Sequence, residues 1–166
     1  MALPPPIPCA YIAIGSNVTS TLGDPAAHVA AAFHALDRLP RTRLTARSSI
    51  FSTDPVGPQD QDRYLNAVAQ IETTLPPLEL LTHMLAIERS RGRDRANERR
   101  WGPRTLDLDL LLYADQVLSL PSLTIPHPRM HERTFVLEPL AELAPDLRIP
   151  GRAGTVHELL LALRGR

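Results

Sequence analysis

Lysine is absent from this chain: all 18 of its basic residues are arginine. That absence excludes a Walker-type lysine on phosphates, the lysine of a protein-kinase-like site and any Schiff-base chemistry. An anion held here must be held by arginine, backbone N–H groups, histidine or metal. Cysteine is nearly absent as well. The lone Cys9 cannot staple the fold, marks no metal site and is compatible with a reducing compartment. Aromatics are scarce, at three Phe, three Tyr and one Trp, so each ring invites a question about its role. The 18 acidic residues balance the arginines to a net charge of zero, which argues against a general affinity for nucleic acid or anionic membranes. No apolar run approaches the ~18 residues of a membrane span. The first 23 residues carry no charged side chain, yet they lack the basic start of an export signal. Their longest apolar stretch, Cys9 to Ile14, is short and follows Pro4, Pro5, Pro6 and Pro8. The expectation is a soluble, cytoplasmic protein, with a proline-rich tail over 1–9 and one domain over 10–166.

The chain of 166 residues, 43% of them apolar, has the size at which about 70% of the unfolded surface is buried. Ala10 to Ile14 reads as a buried strand ending at Gly15-Ser16-Asn17. Asp24-Pro25 pairs an N-cap with a proline at the first helical position. Val29, Ala32, Phe33 and Leu36 give the following helix its apolar stripe, and Pro40 ends it. Arg43 to Ser52 reads as a strand, Thr53 to Pro58 as a loop and Tyr64 to Ile71 as another strand. Pro76-Pro77 opens a second helix, Leu78 to about Arg89, with Leu81, Met84 and Leu85 as its core face and Gly92 as its stop. Leu106 to Tyr113 is a third long strand, with Val117-Leu118 as a short hairpin partner. Helices are expected near Phe135 to Leu143 and Thr155 to Leu163. The order βαββαβ predicts an α+β, ferredoxin-like antiparallel sheet with helices packed on it.

The chemistry concentrates in Arg100-Trp101-Gly102-Pro103-Arg104-Thr105-Leu106-Asp107-Leu108-Asp109-Leu110-Leu111. On a strand, residues two apart share a face. Leu106, Leu108, Leu110 and Leu112 are thus expected on one face, Asp107 and Asp109 on the other. Paired carboxylates repel and resist dehydration, and they suit a magnesium ion that keeps waters and takes its remaining oxygens from phosphates. The plain alternative is an Asp-x-Asp on a solvated sheet face. The upstream arginines shift that balance: seven of them, Arg89, Arg91, Arg93, Arg95, Arg99, Arg100 and Arg104, lie within sixteen residues. Arginine is always charged and grips phosphate through two parallel hydrogen bonds. A metal pair beside guanidiniums is what phosphoryl transfer requires.

Tyr64 and Asn66 share a strand face, so a flat, nitrogen-rich ring stacked on Tyr64 is within reach of the Asn66 amide. Phe135 and Trp101 are further stacking candidates, with ordinary core packing as the alternative for Tyr64 and Phe135. His127, between two prolines, and Arg133 are weak signals alone. Two other readings stay open: another magnesium-dependent nucleotide transferase using the Asp-x-Asp pair, and an arginine-rich RNA-binding module.

From Ala10–Asn17, through Val56–Gln61 and Tyr64–Ala67, to Arg100–Leu111 and Pro126-His127, the sequence resembles the 6-hydroxymethyl-7,8-dihydropterin pyrophosphokinases of folate biosynthesis. Arg-Trp-Gly-Pro-Arg-x-x-Asp-Leu-Asp is the most specific part. The resemblance implies transfer of the terminal diphosphate of ATP to the hydroxymethyl group of the pterin, releasing AMP. It makes Asp107 and Asp109 the ligands of two magnesium ions, with Arg93 and Arg104 catalytic. Thr53, Asp54, Val56, Tyr64, Asn66 and Phe135 fall at pterin positions. Arg95, Arg100, Trp101, Leu110, Thr124, His127 and Arg133 fall at ATP positions. The implied partners are these small molecules alone, with no nucleic acid and no membrane, and the protein is expected to be a monomer.

Overall fold

The computed structural model describes residues 1–166. Eleven regular elements follow one another: β1 Cys9–Ser16, α1 Pro25–Asp37, β2 Thr42–Arg47, β3 Phe51–Thr53, β4 Tyr64–Thr73, α2 Pro77–Ser90, β5 Asp107–Tyr113, β6 Leu118–Leu120, β7 Leu123–Ile125, α3 Thr134–Leu143 and α4 Val156–Arg164. The main sheet runs β2-β4-β1-β5, all antiparallel, with β3 pairing β4 beyond β2. β1 and β2 are split by β4, which is the ferredoxin-like arrangement expected from the sequence.

Both sheet faces are covered. Ala10, Ile12 and Ile14 of β1 point toward Val29, Ala32, Phe33 and Leu36 of α1 and Leu80, Met84 and Ile87 of α2. Tyr11 and Val68 point the other way, into a second core with Val136, Leu137 and Leu140 of α3 and Val156 and Leu160 of α4. Each fully buried Leu or Ile contributes about 1.5–3 kcal/mol, so the two layers hold the strands in one register. α1 starts where Asp24 accepts the Ala27 N–H at 2.8 Å, and α4 starts at a capping box between Thr155 and Glu158.

Four sequence expectations are corrected. The strand over Arg43 to Ser52 is broken at Ser48, whose Oγ accepts the Val68 N–H at 2.8 Å in place of a ladder carbonyl, and Thr53 belongs to β3. The α2 core face is Leu80, Met84 and Ile87, with Leu81 and Leu85 half-buried at its margin. Leu118 pairs with Ile125 in a separate two-stranded sheet, not with β5. Finally, Leu112 does not share a face with Leu108 and Leu110. Tyr11 pairs with Leu112 and Ile12 with Leu110, so Leu111 is a bulge residue and both Leu111 and Leu112 enter the second core.

Candidate active site

The register of β1 builds the floor of the site. Gly15 lies between Asn66 of β4 and Asp107 of β5, and Ala13 between Val68 and Asp109. All of these side chains point to the α3 side, where that helix begins too late to cover the sheet end. The small residues at 13 and 15 leave a cavity of about 210 Å³ above them. A Cβ at Gly15 would stand 3.3 Å from Asn66 Oδ1 and 3.9 Å from Asp107 Cβ, inside that space.

Tyr64 and Phe135 are the aromatic lining of the cavity, a slot shared with Thr53, Asp54 and Val56. Asn66 Nδ2 donates to Thr53 Oγ1 at 2.6 Å, which holds its amide plane at the slot's edge. Asp54 is paired with Arg63. The Arg133 guanidinium sits 5.6 Å from the Phe135 ring centre and 5.7 Å from that of Trp101, so it lies between two aromatic faces. Arg100 and Arg129 approach the same indole at 5.4 and 5.2 Å.

The segment carrying Trp101 is pinned from below. Tyr64 OH donates to the Gly102 carbonyl at 2.7 Å, and Gln61 Nε2 to the Trp101 carbonyl at 2.8 Å. Asn17 accepts the Arg104 N–H at 2.9 Å and donates to both Gln61 and the Asp62 carbonyl. Ser16 Oγ donates to the Thr105 carbonyl at 2.6 Å. Gly15 and Ser16 at the end of β1, with Asn17 just after it, are therefore the joint between the slot and the arginine segment. Sequence reading marked these residues only as the end of the first strand and as part of a resemblance. Asn17 and Gln61 carry no local signal of this task, because their partners lie some forty to ninety positions away.

The carboxylate and arginine part of the lining is strongly polar. Asp107 receives Arg93 at 2.7 Å on Oδ1 and Arg104 at 3.2 Å on Oδ2. Arg93 is itself 2% exposed and also contacts Glu98 at 2.7 Å and Glu88, whose side chain is 1% exposed. Burial opposes the Arg93 charge, but Glu98, Asp107 and Glu88 together raise its pKa. Burial pushes Glu88 up, and Arg93 and Arg95 oppose that shift. The ion pairs of the site go to Asp107, and Asp109 has none. Desolvation, then the Asp107 charge, pushes the Asp109 carboxyl up to about 7. An unpartnered carboxylate beside a second one is an all-oxygen donor set calling for a cation. Asp107 and Asp109 fit magnesium with its other positions left to water and phosphate. His127 Nδ1 accepts the Arg129 N–H at 3.2 Å; burial and then Arg133 lower its pKa to about 4, so the imidazole is neutral at pH 7.

Of the residues singled out by sequence, Thr53, Asp54, Val56, Tyr64, Asn66, Trp101, Arg104, Asp107, Asp109, His127, Arg133 and Phe135 line this one cavity. Five others do not. Arg93 lies beneath the Asp107 carboxylate, and Arg95 is turned to Glu88 at 2.8 Å. Arg100 stacks on Trp101 without lining the cavity. Leu110 is buried in the first core, and Thr124 is exposed on β7. Glu88 and Glu98, read from the sequence as candidate partners of these arginines, are their counter-charges, Glu88 for Arg93 and Arg95 and Glu98 for Arg93 and Arg104.

Fold and site together define an α+β protein whose pocket joins an aromatic slot to an end lined by arginines and paired carboxylates, the layout of a group-transfer enzyme. The model of the 7,8-dihydro-6-hydroxymethylpterin-pyrophosphokinase (HPPK) family matches residues 11–145. A Pseudomonas aeruginosa protein named 2-amino-4-hydroxy-6-hydroxymethyldihydropteridine pyrophosphokinase is 53% identical over 84% of this chain and 83% of its own length. Its Haemophilus influenzae namesake is 50% identical over 85% of this chain and 84% of its own. The chain belongs to this family. Its activity is diphosphate transfer to hydroxymethyldihydropterin in folate biosynthesis, with ATP as co-substrate. A Plasmodium falciparum HPPK-DHPS crystal structure shares the fold at a TM-score of 0.75 and 13% identity, over 96% of this chain. This chain spans 45% of that longer one. No helix is long and apolar enough to cross a membrane.

Proposed function

We propose that the slot and the polar end divide the two substrates between them. The pterin ring lies between Tyr64 and Phe135 with its edge on Asn66, and the ATP polyphosphate meets Arg104, Arg133 and His127. The supporting observation is the cross-strand row Asn66–Gly15–Asp107, because it sets the ring edge and the carboxylates on the two strands flanking β1 with no side chain between them. A hydroxymethyl group on a ring in the slot then reaches the carboxylate end.

Asp107 and Asp109 would hold two magnesium ions. Bound there, magnesium neutralises phosphate oxygens and lowers the pKa of the attacking hydroxyl. The protein's own groups then act by position and charge. Arg104 compensates charge on the moving diphosphate while Arg93 holds the Asp107 carboxylate from beneath, and Arg133 leaves the Phe135 face as the ring enters. His127, neutral, offers a hydrogen bond without needing a counter-ion. Trp101, Arg95 and Arg100 close over the nucleotide and exclude water. Leu110 and Thr124 border the adenine through backbone groups. The reaction is in-line attack of the hydroxymethyl oxygen on the β-phosphorus, without a phospho-enzyme. With ATP, magnesium and the pterin alcohol, AMP should appear one for one with pterin diphosphate, measured by anion-exchange chromatography. ADP as the product overturns this reading.

The slot makes a separate prediction. Tyr64→Ala should weaken pterin binding about tenfold, since an aromatic stack contributes ~0.5–1.5 kcal/mol beyond its buried area. ATP affinity should stay within about twofold. Tyr64→Phe keeps the ring and removes the bond to Gly102, so it should bind pterin normally. Calorimetric titration of both variants checks this.

A further inference from the structure

The arginine segment from Gly92 to Arg104 has two stems, and both are tied to the connection between β1 and α1. Asn17 holds the C-terminal stem through two bonds with the Arg104 backbone, at 2.9 and 3.0 Å. The N-terminal stem is held by a group that the reaction described above does not use. Arg91, the C-cap of α2, sends its Nε–H to His28 Nδ1 at 3.1 Å and an NH2 proton to the Leu22 carbonyl at 2.8 Å. His28 is fully buried, and its Nε2 lies 3.2 Å from Ser20 Oγ, which also accepts the Leu22 N–H at 3.1 Å.

The donors fix the chemistry of this ring of bonds. An arginine Nε–H only donates, so His28 Nδ1 is a lone pair and the proton sits on Nε2, pointing at Ser20. Burial first, and then the Arg91 charge, keep His28 below its ordinary pKa, although Asp24 and the Gly23 backbone pull the other way. The imidazole is thus a neutral acceptor that holds a cation. Arg91 is followed by Gly92 at φ 85° and then by Arg93, whose N–H returns to the Glu88 carbonyl at 3.2 Å. The Gly92 N–H returns to the Arg89 carbonyl at 3.0 Å, so helix α2 closes in a tight turn whose positive φ suits glycine. The Arg91 anchor ties this turn to the β1–α1 connection, two residues before the Arg93 side chain that meets Asp107.

We propose that His28 and Arg91 are positioning residues for the diphosphate transfer, fixing the N-terminal stem of the arginine segment so that Arg93 is delivered beside the paired aspartates. The inference rests on the role given to Arg93 above. Neither residue lines the cavity. Their effect passes through the turn at Gly92, and losing either should impair the step in which charge moves more than the binding of ATP.

Steady-state kinetics of AMP formation, with thermal melts alongside, tests this. Arg91→Met keeps the length of the stem and removes its donors; His28→Leu keeps the volume and removes the acceptor. Each should lower kcat about tenfold to a hundredfold, the size of loss that small misplacements produce, with KM for ATP within about twofold. His28→Gln retains an acceptor and a donor and should recover at least about half of the wild-type kcat. Equal kcat in Arg91→Met and wild type overturns the inference. So does a His28→Gln that is as slow as His28→Leu, because a purely structural role would not distinguish them by hydrogen bonding. If Arg91→Met fails to fold, Arg91→Lys takes its place: it keeps the charge but not the forked geometry, and wild-type kcat there also overturns the inference. A wild-type protein that makes no AMP overturns the reaction itself, an outcome distinct from all of these.

Discussion

Asp109→Asn should abolish magnesium-dependent turnover and, at the same time, raise the melting temperature of the metal-free protein at pH 8. The two effects have one cause. Asp109 stands on the floor of the cavity with no ion pair, and burial with the Asp107 charge raises its pKa to about 7. Below the unfolded value near 3.8 the carboxyl is protonated in both states and costs nothing. As pH rises from there to about 7, the unfolded chain releases this proton and the folded protein keeps it, so wild-type stability falls. Above pH 7 the folded protein carries the full cost of the charge. Asparagine has no charge to bury, so the advantage of the variant should be nil near pH 4 and largest above pH 7. Its size should be on the order of 1–2 kcal/mol, or roughly 3–6 °C in a protein of this length. His127 titrates in the opposite sense over part of this window, but it is common to both proteins and cancels. Asp107→Asn should behave differently, losing turnover and also stability, because Arg93 and Arg104 lose their anion. Differential scanning calorimetry from pH 4 to 8, with and without magnesium and ATP, checks both. A metal-free Asp109→Asn no more stable than wild type at pH 8 contradicts the assignment.

Arg93→Met should cost about 3–5 kcal/mol of stability, or roughly 10 °C or more, along with activity. Its guanidinium is 2% exposed among Glu88, Glu98 and Asp107, and Glu88 is 1% exposed. Removing the cation leaves a buried carboxylate with only the half-exposed Arg95 beside it, next to a second carboxylate at Asp107. Replacing both partners of a buried pair is far milder than removing one. The double variant Glu88→Gln, Arg93→Met should therefore regain much of the lost melting temperature while remaining inactive. Activity returning with stability would show that Arg93 serves the fold alone.

Much of this architecture was legible along the chain because it is written in local periodicity. The alternation in β5 placed Leu108 and Leu110 on one face and the aspartates on the other. Asp24-Pro25 and Thr155 marked helix starts through bonds within three residues. The misreadings share a property. Leu112 changes face because a bulge in the pairing with Tyr11 inserts one residue, and a bulge is a relation between two strands. The α2 core face is rotated by about one residue because Leu80, Leu81 and Leu85 are equally apolar, and only the sheet's position says which is buried. The break at Ser48 depends on the Val68 N–H twenty residues away.

The site divides along the same line. Sequence by itself determined that no lysine handles the phosphates, that Asp107 and Asp109 share a face, and that arginines crowd their approach. Strand geometry and composition are local or global properties that need no partner. Only the tertiary structure decided which arginine meets which acid: Arg93, not Arg100, lies against Asp107, while Arg100 stacks on Trp101. Seven arginines in one segment are equivalent in charge. Burial distinguishes them, since a guanidinium leaves water only where several carboxylates from α2, β5 and the loop converge to receive it.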